Sequence, residues 1–264
     1  MSASHLFAPG VDRGACLATG FREGDRGTHT SRTIMLAELR ATLAAVLDTA
    51  TRQAYPRAIV EDNCLGKATA ATRSLSAQRL AELYALDLQV PLFRILRRLW
   101  NVDEASQPVL ALLVALARDP LLAATVPSVV PLAPGAEFLR APMRDAIRAA
   151  VGQRLNDATI DKVARNAASS WSQAGHLAGR TFKTRQKVRP TPCTVAMAMY
   201  LGFVCGLRGE SVMTGEWLTV VDCSPSEATA LGFDAKRLGL IDLRYAGDVV
   251  DIDFDRLDPW KGGP

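Results

Sequence analysis

The stretch VLALLVALA, Val109 to Ala117, constrains the fold of this chain more than any other. It is apolar on every side, and a helix of that character is stable only when other elements surround it. It is also too short for a membrane span, which takes roughly 20 apolar residues, and Arg118, Asp119 and Pro120 end it. The pattern predicts a buried core helix from about Gln107 to Arg118. A short helix should follow from Pro120, whose missing N–H costs nothing in a first helical turn.

The flanking segments supply partners for such a core. Ile34, Leu36, Leu39, Leu43, Val46 and Leu47 recur at roughly helical spacing. Residues 55–86 read as helix, glycine turn and helix, with Gly66 as a C-cap and Leu75, Leu80, Leu83 and Tyr84 as an apolar stripe. PLFRILRRLW places Leu92, Ile95, Leu96, Leu99 and Trp100 on one face and Arg94, Arg97 and Arg98 on the other. With 48% hydrophobic, 22% charged and only 6% aromatic residues, the composition is that of an ordinary globular, helix-leaning protein. The 264 residues allow one large or two to three small domains.

VPSVVPLAPG, residues 126–135, holds three prolines and a glycine and is the best domain boundary in the chain. The expected organisation is a disordered or loosely attached tail over residues 1–30, a helical N-terminal domain over 31–130 and a winged-helix-like C-terminal domain over 136–258. No signal-peptide pattern opens the sequence. The five cysteines are odd in number, scattered and free of C-x-x-C pairs, which fits a reducing cytoplasm. The three histidines lack metal-ligand spacing and read as packing or surface residues.

Beyond the boundary, RAPMRDAIRAAVG reads as a helix, QRLN as a turn, and DATIDKVARNAASSWSQAG as a second helix capped by Asn156 or Asp157. Later, TPCTVAMAMYLGFVCGL is a helix, and SPSE at 224–227 is a capping box that starts another, running to about Arg237. LIDLRY and VVDIDFD, joined around Gly247 and Asp248, form a hairpin signal. The expected fold class is mainly α, with short β-hairpins in the C-terminal region.

Charge is concentrated rather than spread. Residues 151–190 carry eight Lys or Arg against two Asp, which leaves the remainder near −2 although the whole chain is +4. Within this region the second helix has an apolar face of Ile160, Val163, Ala164, Ala167 and Trp171. Opposite lie Lys162, Arg165, Asn166, Ser169, Ser170 and Gln173, residue types suited to base edges and phosphates. The run GHLAGRTFKTRQKVRPTP follows, with Arg180, Lys183, Arg185, Lys187 and Arg189 and no acid. On an extended strand, Lys183, Arg185, Lys187 and Arg189 would share one face, with Phe182 and Val188 on the other. Helix, turn, helix and basic hairpin together predict a winged helix that binds double-stranded DNA mainly through phosphates. The plainer alternative is a solvated basic surface.

Enzyme signatures are absent: there is no G-x-S-x-G, H-E-x-x-H or G-x-G-x-x-G. LGKATAATR, residues 65–73, lacks the first glycine and the final Ser or Thr of a phosphate loop. The carboxylates of Asp251, Asp253 and Asp255 alternate along a strand as a solvated face would. Neither catalytic residues, a metal nor a cofactor is expected.

Five phrases, ARDPLLAATVP (117–127), SSWSQAGHLAGR (169–180), RPTP (189–192), YLGFVCGLRGE (200–210) and RLGLIDLRYAGDVVDI (237–252), together resemble the BrxA family of BREX bacteriophage-defence systems. The resemblance spans roughly residues 32–256. It implies a cytoplasmic, largely helical, non-enzymatic protein, likened to the RNA-binding antitermination factor NusB and associated with DNA. It would act beside other BREX components; the family has also carried an inner-membrane label, which the broken apolar runs of this sequence do not support. RNA binding of the NusB type, or service as a protein-interaction scaffold, are the alternatives. The family supplies no catalytic residues to carry over, and the candidate binding residues rest on the helix and strand faces alone.

Overall fold

The computed structural model of the chain describes residues 12–247 and 249–259. Residues 1–11 of the expected tail and Asp248 of the expected hairpin turn lie outside the described residues. Helices α1 (Arg13–Thr19), α2 (Leu36–Ala45), α3 (Ala54–Val60), α4 (Ala70–Tyr84), α5 (Pro91–Trp100), α6 (Gln107–Arg118) and α7 (Pro120–Ala123) precede strand β1 (Glu137–Phe138). Next come α8 (Arg140–Val151), α9 (Asp157–Gln173), β2 (Leu177–Ala178) and β3 (Lys183–Arg185). The chain continues through α10 (Pro192–Val204), α11 (Glu210–Thr214), α12 (Glu216–Val220) and α13 (Pro225–Arg237) to the hairpin β4 (Asp242–Ala246) and β5 (Val249–Asp253). The architecture is therefore mainly helical with two small antiparallel sheets, as the sequence predicts.

Helix α6 lies at the centre. Every residue from Val109 to Ala117 is buried, and α4, α5, α7, α9 and α10 pack around it. Each fully buried leucine of α6 contributes about 2 kcal/mol through the water it no longer touches. Asp119 ends the helix and starts the next, since its carboxylate accepts the N–H groups of Leu121 and Leu122. Beyond it the segment turns by 106°, and among the described residues no single helix is long and apolar enough to cross a membrane.

The capping signals act where the sequence places them. Asn156 accepts the N–H of Thr159 at 2.8 Å to start α9, and Ser224 and Glu227 form the reciprocal capping box of α13. Arg97 departs from the expected polar face of α5. It is buried, and its guanidinium donates to the Val46 carbonyl and to Asp48.

The expected organisation needs correction in two places. Residues 12–30 are not a loose tail. Helix α1 seats Cys16 in the core, Phe21 packs edge-on against Trp217 at 6.0 Å, and His29 is fully buried. The aperiodic sequence there reflects docking by polar side chains instead of by an apolar stripe. The proline-rich stretch at 126–135 also does not separate one core from another. Val126 and Val129 are buried within it, and one continuous cluster of apolar side chains runs from Cys16 to Leu257.

Candidate nucleic-acid interface

Strand β1, helices α8 and α9 and the hairpin β2–β3 form one unit. Its three strands lie in the order β1–β3–β2, so the first strand pairs with the last. Strand β1 leads into α8 and α9, and the β2–β3 hairpin that follows returns to pair beside it. The unit occupies residues 137–185 only, and α10 to β5 follow it in the chain, with α10 packed against α6.

The ten expected binding residues divide into two groups. Lys162 and Arg165 stand exposed on the N-terminal half of α9, Arg180 is exposed in the β2–β3 turn, and Arg189 is exposed just beyond the hairpin. Among the described residues, no carboxylate pairs with any of these four. Lys187 is also exposed but lies 3.6 Å from Glu227. Ser169 is half-buried, 3.5 Å from the Gln173 amide.

The others work inside the molecule. Asn166 donates its side-chain amide to the His29 carbonyl at 2.8 Å. The side-chain carbonyl of Gln173 accepts the Leu36 N–H at 3.2 Å. Lys183 folds back on its own hairpin, donating to Ser172 Oγ at 2.7 Å and to the Gly179 carbonyl at 3.1 Å. Arg185 is only 1% exposed; it reaches the Val129 and Gln186 carbonyls and pairs with Asp222 at 2.5 Å. Its partner Asp222 also accepts the Val188 N–H at 2.8 Å, which anchors the strand's exit.

The expected facing of this strand is thus reversed at two positions. Arg185 points into the protein, while Phe182 stands 75% exposed in the turn. Alternation alone assigns the charged row to solvent; a partly buried acid from a distant loop overrules it at Arg185.

The polar face of α9 is divided in the same manner. Residues 27–36 cross it as a strap whose hydrogen bonds are closely matched. His29 Nδ1 and backbone N–H both meet Asp119 Oδ2, at 2.7 and 3.0 Å. His29 Nε2 lies 2.8 Å from Ser170 Oγ. Ser170 in turn accepts the Ile34 N–H at 3.0 Å, and Tyr84 donates to the Ile34 carbonyl at 2.5 Å. Burial alone would raise the Asp119 carboxyl, but the charge and hydrogen bonds of His29 outweigh it and hold the group below its ordinary range. Gly27 is required for the close approach, because a Cβ there would sit 2.0 Å from an Asp119 oxygen.

Asp119, His29 and Ser170 reproduce the contact order of a serine-hydrolase triad. A nucleophile needs an open side, however, and Ser170 is 0% exposed with its oxygen already bonded to Ile34 and Asn166. The three act as an internal pin between the strap, α6–α7 and α9. Their separations of 90 and 141 residues leave no local pattern by which a sequence could show them.

His176 supports the hairpin from below. It is buried against Trp171, its Nε2 donates to the Val220 carbonyl at 2.7 Å, and burial pushes it down to about 4, so the ring is neutral near pH 7.

The terminal hairpin carries a different surface. Asp242 faces Asp253 and Arg244 faces Asp251 across β4 and β5. With Asp255 and Arg256 they line a polar depression of about 460 Å³, in which Arg256 pairs with Asp242 at 2.8 Å. Among the described residues no group of three or more potential ligands is arranged to hold a metal ion. On the neighbouring side, Phe233 and Tyr245 pack at 5.7 Å and both are partly exposed.

No protein-family model matches the sequence, and no curated protein matches it either.

Proposed function

We propose that this protein binds double-stranded DNA, mainly through phosphates, as a non-enzymatic accessory factor of a BREX-type phage-defence system. One observation carries the DNA reading. On a unit that we read as a winged helix, cations that pair with no carboxylate among the described residues stand at both contact positions, Lys162 and Arg165 on α9 and Arg180 in the β2–β3 turn. In helix-turn-helix proteins the N-terminal end of the second helix meets the major groove, and flanking elements lie on the backbone. Lys162 and Arg165 then take groove-edge phosphates or bases, while Arg180 and Arg189 follow the strand. Only the five sequence phrases support the defence-system role and BREX partners, and cytoplasmic placement rests on them and on the scattered, unpaired cysteines.

Titration of labelled duplex at two salt concentrations, with competing single-stranded RNA, tests the reading. Duplex binding that weakens with salt and resists RNA competition is expected. Preferred binding of RNA would replace it with the NusB-type reading.

A protein-scaffold role has one observation in its favour. Phe233, Leu238, Tyr245 and Val249, on α13 and the terminal hairpin, all remain exposed to some degree. Co-purification of BREX components that is lost in Val249→Asp while DNA binding persists would assign that face to a protein partner.

A further inference from the structure

The β2–β3 turn presents an aromatic ring where a phosphate-binding surface needs only charge. Phe182 is 75% exposed, far more than the partly exposed Phe233 or Tyr245. Its backbone is held rigidly. Gly179 adopts φ +108°, and a Cβ there would lie 2.0 Å from the Phe182 carbonyl oxygen, so the turn closes more tightly than any side chain permits. Lys183, the next residue, bonds the Gly179 carbonyl at 3.1 Å and Ser172 at 2.7 Å, tying the turn to the end of α9. Arg180 stands exposed two residues before Phe182 in the same turn, and Lys162 and Arg165 stand exposed on the same helix as Ser172.

An exposed ring costs solvation, and a rigid turn does not let it fold back onto the protein. Charge framing points to a polyanion, and a polyanion with flat apolar surfaces between its charges is a nucleic acid. We infer that Phe182 is a wedge that enters the base stack of duplex DNA from the wing side, with Arg180 on the adjoining phosphate. The inference rests on the DNA-binding reading above and adds a contact to bases that phosphate binding does not need. Apolar wedges of this kind unstack one base step and kink the duplex.

The test compares Phe182→Ala, Phe182→Trp and the double variant Lys162→Ala/Arg165→Ala with the unaltered protein. The probe is a fluorescein-labelled duplex two helical turns long, titrated over a series of salt concentrations. A wedge predicts that Phe182→Ala loses about 5- to 150-fold in affinity, the worth of one base–aromatic stack, with the salt slope unchanged. It also predicts that tryptophan emission of Phe182→Trp is quenched by duplex more than that of the unaltered protein. The Lys162/Arg165 variant should instead flatten the slope. Unchanged affinity in Phe182→Ala, a flattened slope, or absent extra quenching overturns the wedge. If the Lys162/Arg165 variant still loses affinity in that case, DNA binding itself stands. Absence of any duplex binding by the unaltered protein overturns both.

Discussion

Arg185, which is buried, and Asp222, which is partly buried, form an ion pair at 2.5 Å that fastens β3 to the turn between α12 and α13. The pair also organises neighbouring backbone, since Arg185 bonds two carbonyls and Asp222 accepts the Val188 N–H. Removing one member leaves an uncompensated charge inside the protein. Asp222→Asn and Arg185→Ala should each destabilise folding by about 3 kcal/mol, and the double variant should lose less than the sum. Urea unfolding of the four proteins checks this; strict additivity would show that the two do not interact.

Phosphate contact is predicted from a set of cations that the fold has narrowed. If Lys162, Arg165, Arg180 and Arg189 each neutralise one phosphate, log affinity for duplex should fall with log salt at a slope of about −3.6. Neutralising all four with Ala should bring the slope near zero. Replacing Lys183 should act mainly through the stability of the hairpin, because its ammonium is already bonded to Gly179 in the turn and to Ser172 on α9. A slope that responds to Lys183 and not to Arg180 would contradict the division.

Acid should weaken the protein in a defined window. His176 titrates near 6.5 when unfolded and is pushed down to about 4 by burial in the folded state. Between those values the unfolded chain binds a proton that the native chain excludes. Stability is therefore full above about pH 6.5, falls as pH drops through the window, and levels off for this group below about pH 4. The loss is on the order of 3 kcal/mol. His176→Gln, which keeps an N–H for Val220, should flatten the dependence in urea melts at graded pH. Asp119, held low, adds its own loss only at still lower pH.

The strap across α9 offers a fourth test. His29→Ala leaves the buried Asp119 carboxylate without its ring partner, a loss of about 3 kcal/mol. Hydrogen exchange should then accelerate at residues 28–36 before it does in α6. Uniform acceleration through the whole protein would show that the strap does not open by itself.

Much of this fold is legible from local pattern. The all-apolar run at 109–117 marks the central helix, and Asn156, Ser224 and Glu227 mark helix starts because capping acts within four residues. The order helix, turn, helix, hairpin over residues 140–185 can be read from local pattern, and Lys162, Arg165, Arg180 and Arg189 are exposed. What does not show in the sequence is pairing at long range. Arg185 is inward because of Asp222, 37 residues on, and Asn166 and Gln173 are engaged by backbone 137 residues earlier. A polar residue matched to a distant polar partner has the same local signature as one matched to water. The docking of residues 12–30 is hidden for that reason too.

The His29–Ser170 contact joins residues 141 apart, and on a ribosome that separation is a delay. At 5–20 residues per second, about 7–28 s pass between synthesis of the two. Throughout that interval the strap has no helix to cross, and the carboxylate of Asp119 is in place long before Ser170 arrives. The start of the chain thus has to wait for its middle, and a nascent protein halted before α9 would present an unpinned N-terminal segment to chaperones.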